Sequence, residues 1–262
     1  MANDDLQLLH NFIHDLKAPL SSAKSFIDLL MASGELNSQQ RHFAHRAQHN
    51  MDRMNKIINT LLDYARLEAR DELHVDVCDL IEILENADAV LEGMVAERQV
   101  TLQTRITPDA QFVQAEENLL ESVLINLIGN AIKYNRMGGS VTVTSELNGQ
   151  FIKIRVQDTG LGIPEADLNT IFERFYRVES KDHRQIEGTG IGLAIVKTVI
   201  EKHGGEIGVE SVLGEGSTFY FTLPHASTSS PDYDREPADG LADDLQEDND
   251  KHDDYESGEL PH

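Results

Sequence analysis

The sequence has one cysteine, Cys78, few basic residues and no long apolar run. A single cysteine excludes a disulfide framework and any metal site built from several cysteines, so a reducing compartment is expected. With 22 Lys and Arg against 46 Asp and Glu, the net charge of −24 argues against general nucleic-acid binding, which needs a basic surface. No membrane-spanning run is present, and the N-terminus is acidic where a signal peptide is basic. These absences predict a soluble, cytoplasmic chain.

Much of the negative charge lies in residues 225–262, where 13 Asp and Glu accompany two basic residues. The segment has no Val, Ile, Phe or Trp, so it cannot bury enough apolar surface to offset the entropy lost on ordering. We therefore predict a disordered acidic C-terminal tail. Its expected role is solvation, and a partner-binding or autoinhibitory arm is the alternative.

Two stretches of heptad spacing predict a helical hairpin in residues 1–71. The apolar positions of the first are Leu6, Leu9, Ile13, Leu16, Leu20, Ala23, Ile27 and Leu30. Those of the second are Ala47, Met51, Met54, Ile58, Leu61 and Ala65. An antiparallel pair of such helices leaves an apolar stripe uncovered. Since a second copy would cover this stripe, we expect a homodimer through a four-helix bundle.

Residues 72–224 mix helical patterns with strand patterns. Apolar periodicity predicts helices over 79–99, 116–135 and 191–204. Strands are predicted over 100–106, 140–147, 151–158, 205–212 and 217–223. Asn148 and Gly149 predict a hairpin turn between the second and third of these strands. This order is typical of an α+β domain, so the chain is predicted to be multi-domain, with boundaries at 1–71, 72–224 and 225–262.

One face of the helix predicted at 116–135 is polar. Asn126, Asn130 and Lys133 are spaced four and three residues apart, which places them on one face, opposite the apolar residues. An amide carbonyl is a hard oxygen ligand suited to Mg²⁺, and a lysine can meet a phosphate as a point charge. Taken alone, this pattern is more typical of a solvated helix face.

Two glycine clusters follow this helix. The first comprises Gly160 and Gly162 directly after Asp158, and the second comprises Gly188, Gly190 and Gly192 directly before a predicted helix. Glycine permits close backbone approach, and a helix N-terminus offers unpaired N–H groups to an anion. The dinucleotide fingerprint G-x-G-x-x-G is excluded because Leu193 follows Gly192, and the P-loop is excluded because no G-K-[ST] occurs.

Six short motifs therefore stand in a fixed order along residues 1–224. They read HDLKAPL at 14–20, NLIGNAIKYN at 126–135, DTGLGI at 158–163, FERFYR at 172–177, GTGIGL at 188–193 and GEGSTF at 214–219. In this order they resemble the phosphoacceptor box, the asparagine box, the first glycine box, the phenylalanine box and the second and third glycine boxes of the sensor histidine kinases of two-component systems. The resemblance implies a dimeric hairpin domain followed by an ATP-binding α/β sandwich of the Bergerat type, with a mixed, mostly antiparallel sheet. It also implies a lid over about 163–187, anchored to the core by Phe172 and Phe175.

The resemblance further implies the roles of site residues. Asp158 would accept a hydrogen bond from the adenine amino group, with Thr218 assisting from the adjacent strand. Asn130 would hold Mg²⁺ with Asn126 nearby, and Lys133 would contact phosphate. The other nucleotide-binding residues that it implies are Tyr134, Gly160, Gly162, Phe172, Phe175, Gly188, Gly190, Gly192 and Leu193.

The expected reaction is transfer of the γ-phosphoryl group of ATP to His14, with Asp15 orienting the imidazole or accepting its proton. Mg²⁺ and Lys133 fit the electrostatic needs of phosphoryl transfer. The phosphoryl group would then pass to an aspartate in the receiver domain of a response regulator. Because no sensor domain is recognisable, the signal is expected from a separate sensor protein, or the chain is a piece of a longer ancestor.

Ala18 is a departure from the family pattern, since many relatives have Thr or Asn four residues after the acceptor. Alanine has no hydrogen-bonding side chain, so we expect weak phosphatase activity toward the phosphorylated partner. His42, His45 and His49 are expected on the solvated side of the second helix rather than in a metal site.

Two alternatives to an active kinase follow from the same residues. One is a nucleotide-binding dimeric scaffold that docks a response regulator without efficient catalysis. The other is a different ATPase with the same nucleotide fold, such as a chaperone, mismatch-repair, topoisomerase or anti-sigma serine kinase relative. The heptad hairpin that carries HDLKAPL argues against the second alternative.

Overall fold

The protein is described here by a computed structural model that covers residues 17, 19–32, 34–70, 72–178 and 188–226. The predicted acceptor residues His14 and Asp15 lie outside the described residues, as do Ala18, residues 179–187 of the predicted lid and the tail from 227 onward.

A long helix dominates the N-terminal part. Helix α1 covers residues 19–32, and helix α2 covers Ser38–Ala69. Asn37 caps α2 reciprocally, because its Oδ1 accepts from the backbone N–H of Gln40 at 2.8 Å while the Gln40 side chain accepts from the N–H of Asn37 at 3.0 Å. This capping box satisfies two backbone groups and explains why α2 begins at Ser38.

Polar contacts show how α1 and α2 pair. Lys17 Nζ donates to Asn59 Oδ1 at 3.0 Å, and Gln48 Nε2 donates to Asp28 Oδ1 at 2.7 Å. From Lys17 to Asp28, the partner on α2 moves back from Asn59 to Gln48, so the helices are antiparallel. The predicted helical hairpin is confirmed.

Several large apolar side chains lie exposed on this hairpin. Leu30 and Met54, both expected in the heptad seam, are each 51% exposed, and Phe26 and Leu29 are exposed as well. Ile58 and Ala65, further along the same predicted seam, are buried. The exposed stripe is compatible with a second copy packing on the hairpin, and the homodimer stays a prediction.

The domain that follows is built from helices and short strands. Its helices are α3 (Leu80–Arg98), α4 (Glu117–Lys133) and α5 (Gly192–Lys202). Its strands are β1 (Asp76–Asp79), β2 (Thr101–Arg105), β3 (Phe112–Ala115), β4 (Ser140–Asn148), β5 (Phe151–Asp158), β6 (Ile207–Val212) and β7 (Gly216–Pro224). Single 3-10 turns cover Pro108–Ala110 and Glu165–Asp167.

Five strands form one sheet in the order β2-β4-β5-β7-β6. Strands β2 and β4 pair in parallel, and every other neighbouring pair in this sheet is antiparallel. Alternate residues of β4, β5 and β7 are buried and join the apolar residues of α3, α4 and α5 in one core. The predicted mixed, mostly antiparallel sheet covered by helices is confirmed.

The buried face of the central strands ends in polar residues. Along β5, Ile152, Ile154 and Val156 are fully buried, and Asp158 is the last residue on the same face. In the register with β7, Asp158 lies opposite Ser217. The sheet therefore delivers a carboxylate to the rim of the core.

Three details differ from the sequence-based expectations. Strands β1 and β3 form a separate two-stranded sheet that the sequence did not predict, because four-residue strands carry little periodicity. The hairpin loop is Gly149 and Gln150, one residue later than expected, since Asn148 still pairs with Phe151. The ordered domain also continues past 224, because Ala226 is buried and donates its N–H to Phe112 O at 3.1 Å.

Among the helices of the described residues, none combines the length and the apolar character needed to cross a membrane.

Candidate functional site

A cavity of about 450 Å³ opens at the end of the sheet where Asp158 lies. Its size falls within the usual range for small-molecule sites. Its walls come from α4, the N-terminal end of α5, the ends of β5 and β7, residues 171–178 and one face of α2. Ten of the residues predicted to bind nucleotide line it: Asn126, Asn130, Lys133, Tyr134, Asp158, Gly162, Gly188, Gly190, Gly192 and Leu193.

The polar face of α4 forms one wall of the cavity. Asn130 donates its side-chain N–H to Asn126 Oδ1 at 3.1 Å, so the two amides are held in a fixed relation one turn apart. Because Asn130 uses its nitrogen in this bond, its Oδ1 can accept a hydrogen bond or ligate a hard cation. Lys133 follows at the end of the helix, with Nζ 5.2 Å from the centre of the Tyr134 ring.

Asp158 is only 7% exposed, and its carboxylate is held by two backbone groups. Its Oδ1 accepts from the N–H of Gly160 at 2.8 Å and from the N–H of Ser217 at 3.3 Å. Burial raises the pKa of Asp158 to about 6, and these two N–H donors oppose that rise. Since both donors use Oδ1, Oδ2 remains for a ligand that presents an N–H group.

Glycines let the chain pass closely around Asp158. Gly162 has φ of +68°, and a Cβ there would lie 2.1 Å from Val212 O. A Cβ on Gly160 would lie 2.4 Å from Tyr134 O. Both positions exclude any other residue unless the backbone moves, which accounts for the first glycine cluster.

The second glycine cluster brings the N-terminus of α5 against α4. A Cβ on Gly192, the first residue of α5, would lie 2.5 Å from Asn126 Nδ2. No side chain at the N-cap position, Ile191, accepts from the first turn. Since α5 begins beside Asn126, its first-turn N–H groups, which no described side chain caps, lie near this amide in an arrangement suited to an anion.

Four predicted nucleotide-binding residues do not line the cavity: Gly160, Phe172, Phe175 and Thr218. Gly160 acts indirectly through its N–H to Asp158. Phe172 packs edge-on against Phe219, with ring centres 6.3 Å apart, so it does contact the core as expected. Phe175 differs from the expected core anchor, because it is 59% exposed and has φ of +65°.

Thr218 also differs from its expected position beside Asp158. Strand register places Ser217 opposite Asp158 and Thr218 opposite Gln157. Because successive side chains alternate between the faces of a sheet, Ser217 faces the cavity and Thr218 faces away. The expectation named a residue one position too far along β7, and a shift of one residue moves a side chain to the opposite face of a sheet.

The cavity also contains residues that the sequence analysis did not select. Apolar and aromatic walls come from Ile163, Ile171, Tyr176 and Phe219. Phe219 lies in the GEGSTF motif and Tyr176 in FERFYR, so the motifs held a signal for these two. A further set comes from helix α2, namely His49, Asp52, Arg53 and Lys56. No local pattern could connect these α2 residues with a site whose nearest residue, Asn126, follows 70 residues after Lys56.

Comparison with known proteins identifies two family models along the chain. Residues 5–70 match the His Kinase A (phospho-acceptor) domain, and residues 115–227 match the histidine kinase-, DNA gyrase B- and HSP90-like ATPase. The chain belongs to the sensor histidine kinase family. The phospho-acceptor match separates this sensor histidine kinase from gyrase-type and chaperone-type ATPases, which was the second alternative.

Individual relatives of this sensor histidine kinase agree with the assignment. Sensor histidine kinase WalK of Bacillus subtilis is 30% identical over 239 residues, which cover 89% of this chain and 39% of WalK. The crystal structure of full-length ShkA in complex with AMPPNP has a TM-score of 0.70 and 28% identity, over 86% of this chain and 47% of ShkA.

Histidine kinase ThkA, solved in complex with the response regulator TrrA, has the same fold at 22% identity and a TM-score of 0.62, over 86% of this chain and 64% of ThkA. The chain spans 34%, 41% and 39% of the length of three curated relatives, WalK being the third.

Proposed function

We propose that the protein is an ATP-dependent protein-histidine kinase that phosphorylates itself on His14. The observation that carries this proposal is a single cavity lined by a buried carboxylate, Asp158, and by the Asn126, Asn130 and Lys133 face of α4. The carboxylate suits a nucleobase that carries an amino group, and the polar face of α4 suits a chain of phosphates with a bound cation. Membership of the histidine kinase family supports ATP as the nucleotide.

Adenine binding falls to the end of the cavity near β5 and β7. Asp158 Oδ2 would accept from the adenine amino group, while the side chains of Ile163, Ile171 and Phe219 supply apolar surface for the ring. The Asp158 carboxylate is already fixed by Gly160 and Ser217, so little side-chain entropy is lost on binding.

Phosphate binding falls to the other end. Lys133, the second glycine cluster and the first turn of α5 together offer positive charge and N–H donors to the triphosphate. The amide oxygen of Asn130, beside Asn126, fits Mg²⁺, a hard cation that is bound by few protein oxygens together with phosphates and water. When bound, Mg²⁺ would neutralise charge that develops on the β- and γ-phosphates.

His14 is the proposed phosphoryl acceptor. A ring nitrogen of His14 bonds to the γ-phosphorus while the bond from that phosphorus to the bridging oxygen breaks, and ADP leaves with the electron pair. Asp15, next in sequence, orients the imidazole or accepts its proton. The phosphoryl group then passes to an aspartate of a response-regulator receiver domain, in keeping with the regulator complex of ThkA.

Three further parts of the proposal come from the sequence. The chain acts as a homodimer through residues 1–71, with the residues from 72 through Ala226 in the ATP-binding domain and an acidic tail after them. A signal reaches it from a sensor protein or from segments of a longer protein. Its predicted location is the cytoplasm, where a kinase finds ATP and response regulators.

Incubation with radiolabelled ATP and Mg²⁺ tests the proposal. The wild type should acquire acid-labile label, and both His14→Gln and Asn130→Asp should lose it. Asn118→Asp is the matched control, because Asn118 is exposed in the first turn of the same helix and should leave labelling unchanged. Label that survives in His14→Gln would place the acceptor elsewhere, and an unlabelled wild type that still binds ATP would favour the non-catalytic scaffold.

A further inference from the structure

Helix α2 of the hairpin lies along α5 of the ATP-binding domain. Lys202 Nζ donates to Arg70 O at 2.7 Å, and four residues earlier on α5 the side chain of Thr198 lies close to that of Tyr64. Thus the C-terminal end of α5 meets the C-terminal end of α2, and the preceding turns meet in the same order. The two helices run in the same direction.

The same alignment of the two helices places part of α2 beside the N-terminus of α5. Partners on the two helices are 132 to 134 residues apart, since Lys202 contacts both Arg70 and Glu68. Helices rise equally per residue, so the same separation places Lys56 level with Gly190 and Arg53 about one turn further out. The cavity lining agrees, because Arg53 and Lys56 share it with Gly190 and Gly192.

The charges on this part of α2 favour an anion. Arg53 and Lys56 are three residues apart and therefore project from the same face of the helix. Asp52, the acidic neighbour in the cavity wall, forms an ion pair with Lys24 of α1. Within the part of the chain that the structure describes, neither Arg53 nor Lys56 has an ion-pair partner. In a chain of net charge −24, two adjacent cations at the open end of the α5 N-terminus are a local exception.

We propose that Arg53 and Lys56 of the hairpin bind the phosphates of the nucleotide, so that helix α2 completes the nucleotide site. This inference rests on the proposed ATP-binding function and assigns it two further phosphate-binding residues. Arg53 can bind phosphate oxygens with two parallel N–H groups, and Lys56 adds a point charge. The phosphate contacts then exist only while α2 lies along α5, so the position of the hairpin sets the affinity for ATP.

The test measures binding of adenosine, ADP and ATP to Arg53→Ala and Lys56→Ala in the full chain. Each variant should weaken ATP binding by about tenfold or more, because Lys56→Ala removes one charge-assisted contact and Arg53→Ala removes a pair, and each should weaken ADP binding less. Adenosine binding should stay at the wild-type level, because adenosine has no phosphate. Arg41→Ala is the matched control, since Arg41 is an exposed cation on the same helix outside the cavity.

Two further substitutions at Arg53 distinguish an effect of charge on ATP binding from an effect on folding. Arg53→Lys should recover most of the ATP affinity, and Arg53→Glu should lower it further than Arg53→Ala, at an unchanged thermal unfolding midpoint. Wild-type ATP affinity in both alanine variants would overturn the inference while leaving the proposed function intact. Equal losses for adenosine and ATP would also overturn it. A wild type that binds none of the three ligands would instead contradict the proposed function.

Discussion

Asp158 combines two demands that oppose each other. Folding buries its carboxylate at the rim of the core, which disfavours the charge and raises its pKa to about 6. The proposed recognition of adenine by Asp158 favours the charged form, because an ionised oxygen is the stronger acceptor. The backbone N–H groups of Gly160 and Ser217 reduce the conflict without removing it.

Removal of the Asp158 charge should stabilise the empty protein. Because the folded-state pKa is above the unfolded value of 3.8, the folded state binds the extra proton between about pH 4 and 6. The carboxylate therefore lowers stability above pH 6, and a shift of this size corresponds to about 3 kcal/mol at most. We expect Asp158→Asn to raise the free energy of unfolding by about 1–3 kcal/mol at pH 8 and by little at pH 4, measured by urea titration.

The same variant should bind ATP at least about tenfold more weakly, because it loses a charge-assisted acceptor. Wild-type ATP affinity should likewise fall as the pH drops from 7 to 5. Asp109→Asn, at an exposed carboxylate, is the control and should change neither property. An Asp158→Asn protein that is less stable than the wild type at pH 8 would show that the charge is not the unfavourable element.

Residues 172–178 link the helical hairpin to the ATP-binding domain. Arg174 stacks on the Tyr64 ring of α2, with its guanidinium carbon 4.4 Å from the ring centre, and donates to Glu68 at 2.7 Å. One residue on, the N–H of Phe175 donates to Gly190 O at 2.8 Å. This segment thus joins the hairpin to the second glycine cluster.

Loss of the Arg174 side chain should loosen the hairpin against the ATP-binding domain. We expect Arg174→Ala to increase amide hydrogen exchange in residues 64–70 of α2, because the Arg174 side chain stacks on Tyr64 and pairs with Glu68 in that segment. The global free energy of unfolding should fall by less than about 1 kcal/mol, since the side chain is half exposed and such pairs contribute little.

Arg155→Ala provides the comparison for this variant. Arg155 also pairs with a glutamate, Glu146, but within the sheet and away from α2. If both variants leave exchange in residues 64–70 unchanged, the Arg174 contact does not hold the hairpin.

At the scale of the whole molecule, the hairpin leaves apolar surface that one chain does not cover. Leu30 is 51% exposed at a heptad position and, with Phe26 and Leu29, forms an apolar patch on α1. A leucine moved from water to a dimer core gains about 1.5–3 kcal/mol, so such a patch favours association.

A charge in this seam should separate the dimer. We expect the full chain to sediment as a dimer at micromolar concentration and Leu30→Glu to sediment as a monomer, because two carboxylates would otherwise be buried together. Ser25→Glu, an exposed position of α1 outside the heptad seam, should remain dimeric. A wild type that sediments as a monomer would contradict the predicted four-helix bundle.

The sequence alone determined the elements and the motifs. Heptad spacing predicted the hairpin, alternation predicted β4, β5 and β7, and the glycine clusters predicted close approach at Gly162 and Gly192. Each of these signals acts within a few residues, through helix or strand period or through the space that a Cβ would occupy. The order of the motifs, through the family resemblance, named fourteen nucleotide-binding residues, and ten of them line one cavity.

Tertiary structure decided which residues of different strands and helices lie next to one another. Strand register placed Ser217, and not Thr218, beside Asp158, and side-by-side packing of α2 on α5 brought Arg53 and Lys56 to a glycine cluster more than 130 residues away in the chain. Register and helix packing depend on the fit of whole faces, and a slip of one residue reverses a side chain without altering any local pattern. The sequence therefore specified the groups for binding a nucleotide, and the fold selected which of them share the cavity.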